Sequence, residues 1–219
     1  MLKRLTEEKL EEILEAGITE FGEQGFEKTS MSRVAGRAGI SVGVLYKYYG
    51  DKDGFFLACV KKSMQELERT LSETTSREEK LLQYAERLIQ ALQQHCREHP
   101  SHIRMYHELT CGSAARFVPA LTQEIESLSA RLYTSMTERA QREGKIRRDA
   151  DPGLFAFFFD NLLMMLQFSY CCDYYRARFA LYCGGAVPDG GRQVEAELLK
   201  FLESAFTTEQ AQIPHREER

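Results

Sequence analysis

The chain has 219 residues, 43% hydrophobic and 28% charged, and a formal net charge of −4. This length and balance suit one large or two small globular domains with a sizeable core, and they exclude a disordered or fibrous chain. The absence of an overall basic bias means that a nucleic-acid partner has to be argued from local charge, and six cysteines without framework spacing point to reduced thiols in the cytoplasm.

In chain order, nearly every segment shows helical periodicity and no alternating strand pattern persists. Leu10, Ile13, Leu14, Gly17, Ile18 and Phe21 share one face of a first helix, and Gly22 and Gly25 read as its end. Short helices are expected over residues 31–38 and 42–48, followed by a longer one capped by Asp51 and running to about residue 71. Ser76 is placed to cap a helix ending near Pro100. A short helix over 101–110 and a long one over 120–142, closed by Gly144, come next. Asp151-Pro152 opens another, expected to run to about residue 183. Its apolar stretch, residues 154–168, is interrupted by Asp160, Asn161 and Gln167 and reads as too short and too polar to span a membrane. A glycine-rich loop over 184–191, an amphipathic helix over 193–206 and a frayed charged tail over 209–219 complete an all-α chain of about nine helices. The charged opening does not read as a secretory signal, so a cytoplasmic protein without a membrane partner is expected.

The informative stretch is KTSMSRVAGRAGISVGVLYKYYGDKD, residues 28–53. Two short helices separated by Ala38-Gly39-Ile40 have helix-turn-helix spacing. Ser30 or Thr29 is placed to cap the first and Ser41 the second, and Gly39 to take the left-handed turn. Met31, Val34, Ala35, Ala38, Ile40, Val44 and Leu45 supply a small core. At the start of the second helix Ser41, Val42 and Gly43 offer free backbone N–H groups and a side-chain-free approach. Tyr46, Lys47 and Tyr48 follow one turn on, with Lys52 just beyond; these are phosphate-donor types. Lys28, Arg33, Arg37, Lys47 and Lys52 face Asp51 alone, a local excess of four positive charges on an acidic chain. That pattern predicts a double-stranded DNA partner.

From about residue 7 to 67 the sequence resembles the DNA-binding domain of the TetR/AcrR family. The resemblance is carried by Phe21, Gly25-Phe26, Thr29-Ser30-Met31, Ala38-Gly39-Ile40-Ser41, Gly43 to Tyr49 and Lys52. It departs in Tyr49 for the commoner Phe, in Gly36 within a helix and in Gly54 for a better helix former, which together suggest a soft domain. The resemblance implies a helix-turn-helix DNA-binding domain over residues 1–53, a helical ligand-binding and dimerisation domain over 54–208 and a flexible tail. It implies phosphate contacts from Ser30, Tyr46, Tyr48 and Lys52, and groove contacts from Ser41, Val42, Gly43 and Lys47. Lys47 suits guanine acceptors and Val42 a thymine methyl.

The resemblance further implies a homodimeric regulator, most simply a repressor released from a palindromic operator by a small hydrophobic effector. The last two helices are the expected dimer surface. The expected pocket residues are Tyr84, Leu88, Met105, Tyr106, Leu109, Phe158, Leu162 and Met165, although such stripes serve a closed core equally well. The alternative is a metal- or thiol-redox-sensing regulator of the same fold. His95, His99, His102 and His107 cluster beside Cys96 and Cys111, a spacing that can bind metal but also suits a helix end. Cys172 or Cys183 is either a redox sensor or an inert thiol, and a disulfide between the adjacent Cys171 and Cys172 would be strained. Asp160, within an apolar run, suits a cationic ligand, the dimer seam or the surface. No catalytic constellation, no cofactor and no dedicated metal site is expected.

Overall fold

The computed structural model describes residues 5–74, 81–111, 113–187 and 191–206. Ser76, the Cys111 side chain and the tail from 209 lie outside them. Among the described residues there is no strand. Ten α-helices and one 3-10 turn run α1 (Glu7–Lys28), α2 (Met31–Arg37), α3 (Val42–Tyr49), α4 (Lys52–Thr74), α5 (Leu81–Glu98), α6 (Pro100–Cys111), the 3-10 turn (Ser113–Phe117), α7 (Val118–Arg142), α8 (Pro152–Cys171), α9 (Asp173–Cys183) and α10 (Arg192–Phe206).

α1 does not end at Gly22. The helix runs past it and kinks at Gly25 (φ 74, ψ 167), a backbone conformation that an L side chain resists. The Thr29 hydroxyl lies within 3.0 Å of the Glu20 carbonyl and 2.8 Å of the Gly25 carbonyl, so it donates back to α1 around the kink rather than capping α2. Gly22 serves packing. A Cβ there would stand 2.6 Å from the Ser101 carbonyl oxygen of α6. Farther along the same crossing, the Phe26 N–H donates to Glu108 of α6 at 3.1 Å.

An N-terminal core gathers Ile13, Phe21 and Phe26 of α1, Val34 of α2, Leu45 of α3, and Phe55, Phe56, Cys59 and Val60 of α4. Phe21, Phe26 and Phe56 meet at ring separations of 4.9–5.9 Å. Burying each such ring contributes about 1.5–3 kcal/mol. The start of α4 thus belongs to this core, and so do Met105 and Leu109 of α6. A domain edge drawn between residues 53 and 54 falls within α4. Gly54 is also explained, since a Cβ there would overlap the Tyr49 carbonyl oxygen. The glycine lets α4 start tight against α3, with Asp51 accepting the Gly54 N–H at 2.7 Å.

A second core joins α5, α7, α8 and α10 through Tyr84, Leu88, Tyr133, Phe159, Leu163, Leu202 and Phe206. The expected single helix from 151 to 183 is two. Cys172 is extended (φ −112, ψ 131) between α8 and α9. The carbonyls freed at this break are taken up by arginines. Arg104 donates to the Cys171 oxygen at 2.9 Å and Arg176 to the Tyr170 oxygen at 2.8 and 2.6 Å. α8 also corrects the reading of its apolar stretch. At 20 residues, with mean hydropathy 1.4 over its best window, it is long and apolar enough to cross a membrane by length and composition. Ala156, Phe159, Leu163, Phe168 and Cys171 are nevertheless buried against neighbouring helices.

The close approach at Gly22 predicts that Gly22→Ala loses about 1–2 kcal/mol in urea unfolding, because overpacking outweighs the gain in helix propensity. Gly36→Ala has open space around the new methyl and is expected to gain up to about 1 kcal/mol. Equal responses of the two variants would contradict the assignment of Gly22 to the helix crossing.

Candidate functional site

The turn between α2 and α3 forms as its residues require. Gly39 is left-handed (φ 64), and the Ile40 N–H reaches back to the Ala35 carbonyl at 2.9 Å. Leu45 is fully buried and anchors α3 from beneath. Ser30 and Ser41 occupy the N-cap positions of α2 and α3, but neither side chain makes the expected capping hydrogen bond. Their hydroxyls therefore remain open to an outside acceptor.

The outer face of α3 presents Ser41, Gly43, Tyr46, Lys47 and Tyr48, with Tyr46 44% and Tyr48 37% exposed. The Tyr46 hydroxyl and the Lys47 ammonium make no hydrogen bond or ion pair with any described residue, and only the Tyr46 carbonyl is engaged, by the Gly50 N–H at 2.9 Å. Tyr48 and Lys52 are already engaged. The Tyr48 oxygen accepts the Leu5 N–H at 2.9 Å, which leaves its own O–H to donate. The Lys52 ammonium donates to the Glu27 carbonyl at 3.1 Å and lies 4.8 Å from the centre of the Phe26 ring. Val42 is half-buried against the N-terminal core.

The positive excess counted along the sequence shrinks in the fold. Arg33 and Arg37 turn toward α1 and pair with the buried Glu20 at 3.2 and 2.9 Å, and Arg37 also pairs with Glu23 at 3.1 Å. These carboxylates precede the counted window. Two of the five cations thereby hold α2 against α1.

The expected pocket residues are dispersed. Tyr84 and Leu88 are sealed in the C-terminal core, and Met105 and Leu109 in the N-terminal core. Phe158 and Leu162 line a surface groove with α10. Of these residues only Tyr106 borders both cavities of the helical bundle, and Met165 borders the second. The first cavity, about 180 Å³, lies among α4, α5, α6, α7 and α8; a second of about 460 Å³ adjoins it across Tyr106, Glu126, Tyr133, Asp160 and Met164. The polar wall was missed except for Asp160. Glu126 and Tyr133 stand seven positions apart on one face of α7, a spacing visible in the sequence but without meaning until α8 is placed opposite. Burial, and then the Glu126 charge, push the Asp160 carboxyl up to about 6.

His95 and His102 line one end of the first cavity, and His102 there meets α1. His102 links the Ser63 hydroxyl (2.9 Å) to Glu15 of α1 (3.1 Å), and this contact holds the Glu15 carboxyl below its ordinary range. His95, His99 and His102 have ring centres 5.2–5.8 Å apart, whereas His107 packs on Phe168 and Tyr175. Burial, with His102 and His99 nearby, pushes His95 down to about 4. Among the described residues no group of three or more His, Cys, Asp or Glu side chains is arranged to hold a metal ion. Cys59, Cys96, Cys171 and Cys172 are buried and Cys183 is exposed. Burial raises Cys59 well above the ordinary thiol range and Cys172 to about 12, which keeps both as unreactive thiols.

A carboxyl raised by folding binds its proton more tightly in the folded state. Its contribution is most favourable below its unfolded value of 3.8 and is lost as pH rises through about 6. Asp160→Asn is therefore expected to gain about 2 kcal/mol at pH 7.5 in urea unfolding and much less near pH 4. A gain independent of pH would show that the carboxylate is not desolvated.

Residues 13–59 match the family described as bacterial regulatory proteins, tetR family. The HTH-type transcriptional regulator HbdR of Aromatoleum sp. (strain CIB) is 32% identical over 93 residues, 42% of this chain and 39% of that protein. The match thus spans well under half the length of this curated relative. Among solved structures, a TetR-like transcriptional regulator from Rhodococcus sp. RHA1 superposes with TM-score 0.68 at 20% identity, over 92% of this chain and 97% of the other. The ketosteroid transcriptional regulator KstR2 of Mycobacterium tuberculosis superposes with TM-score 0.68 at 20% identity, over 94% and 98%. Residues 13–59 therefore belong to the tetR family of bacterial regulatory proteins, carried on a chain with the fold of TetR-like regulators.

Proposed function

We propose that this protein is a homodimeric, sequence-specific DNA-binding transcriptional regulator acting in the cytoplasm, a repressor released from a palindromic operator by a small, partly apolar effector, with no catalytic chemistry of its own. The observation that carries this reading is the outer face of α3, where Tyr46 and Lys47 project without partners from a helix that Leu45 anchors. In this reading α3 enters the major groove. Ser41, Val42, Gly43 and Lys47 meet base edges, while Ser30, Tyr46, Tyr48 and Lys52 hold phosphates.

One such helix covers too few base pairs for selective binding, so two copies are needed. Exposed apolar side chains support α8 and α10 as the mutual surface. Leu154, Phe157 and Phe158 of α8 and Phe201 of α10 are 58–61% exposed. α6 is suited to couple the effector to DNA because Met105 and Leu109 belong to the N-terminal core while Tyr106 borders both cavities. An effector shifts the spacing of the two reading helices only by its differential affinity for the two arrangements. The metal- or thiol-sensing alternative is not favoured, since the histidines form no coordination set among the described residues and most described thiols are buried.

Selection of bound sequences from random oligonucleotides is expected to return a palindrome. On that sequence Tyr46→Ala and Lys47→Ala should each weaken binding about ten-fold, and Lys47→Ala should also relax the base preference at the position it reads. Unchanged affinity in both variants would overturn the assignment of α3. Phe157→Glu combined with Phe201→Glu is expected to give monomers by sedimentation and to lose operator binding; a dimer that persists would displace the interface from α8 and α10.

A further inference from the structure

We propose that the cavity among α4, α5, α6, α7 and α8 takes a small organic cation, an amine on an apolar or aromatic body, with the Asp160 carboxylate as its counter-ion. The inference rests on the effector reading above and gives that effector a chemical class. Its first support is Tyr133, which is 4% exposed and borders both cavities, yet whose hydroxyl makes no hydrogen bond to any described residue, the Thr137 hydroxyl reaching only its backbone carbonyl. A phenol this deeply buried ordinarily finds a partner, so its freedom points to a missing ligand group.

The second support is charge. Asp160 borders both cavities, and its carboxylate makes no hydrogen bond or ion pair with any described residue. Glu126 stands on the same wall and accepts the Tyr106 hydroxyl at 2.8 Å. The neighbouring cations do not neutralise the wall. Arg131 reaches the rim, is exposed and pairs with neither carboxylate, and His95 is kept neutral by burial. A half-buried carboxylate wall without a counter-charge disfavours an anionic ligand and leaves a neutral apolar one with unmet polar groups beneath it. An ammonium group meets both needs. It pairs with Asp160, and the Tyr106 and Tyr133 rings offer their faces to it. Leu71, Leu92 and Ile103 line the rest of the first cavity and suit the apolar body, and about 180 Å³ suits a single-ring amine.

The test uses the full-length protein in phosphate buffer, so that no buffer amine competes. Phenethylamine, its uncharged isostere 2-phenylethanol and its anionic isostere 3-phenylpropionate are titrated by calorimetry into wild type and Asp160→Asn. Saturable binding of phenethylamine is expected, at least about ten-fold tighter than either isostere. Asp160→Asn should weaken phenethylamine about ten-fold and leave 2-phenylethanol unchanged, which separates loss of the counter-ion from loss of the fold. No phenethylamine binding, equal binding of all three, tightest binding of 3-phenylpropionate, or phenethylamine binding indifferent to Asp160→Asn would each overturn the proposal. Operator affinity, read in parallel, separates the two readings. Asp160-dependent amine binding that leaves DNA affinity unchanged supports the site and removes the effector role. Release of DNA by 3-phenylpropionate alone keeps an effector and removes the cation.

Discussion

The arrangement of this molecule depends on the packing of α1 against α6. Gly22 lets the two helices approach to backbone distance at Ser101, while Glu15–His102 and Phe26–Glu108 fix their register on either side of that crossing. Because α1 also carries Ile13, Phe21 and Phe26 into the N-terminal core, its position determines where α2, α3 and α4 sit. The opposite edge of α6 meets the cavities through Ile103 and Tyr106. A close-packed crossing has little compliance, so a shift of α6 of even a fraction of an ångström must be passed on to α1 or break its contacts.

How much of this was legible from the sequence varies by element, for physical reasons. The α2–α3 turn could be read because its signals are local: a glycine at the left-handed position, small residues inside and a buried leucine one turn on. The cap at Asp51 was legible for the same reason. The glycines of α1 and α4 were misread because their cause is not local. Gly22 answers to Ser101, and Gly54 to the tight start of α4 under Tyr49. The break at Cys172 was likewise hidden, since its open carbonyls are met by Arg104 from α6 and Arg176 from the next helix.

The candidate cavity was the least legible feature. An apolar stripe looks the same whether it closes on a neighbour or borders a void, so Leu88 and Leu109 could not be told from pocket residues. What distinguishes the void is its polar wall. Asp160 stood out as an anomaly within an apolar run, but Tyr133 and Glu126 acquired meaning only when α7 and α8 faced each other.

The pairing of Arg33 and Arg37 with Glu20 has a further consequence for how such a protein finds its site. Cations that already hold a carboxylate release few counterions from a passing duplex, and the chain as a whole is acidic. In the proposed reading, residence on arbitrary genomic sequence is therefore brief, and fewer copies are held away from the operator by the vast excess of competing sites. On that proposal a modest set of contacts from α3 would suffice to keep one operator occupied, because discrimination is gained by lowering the background as well as by tightening the specific complex.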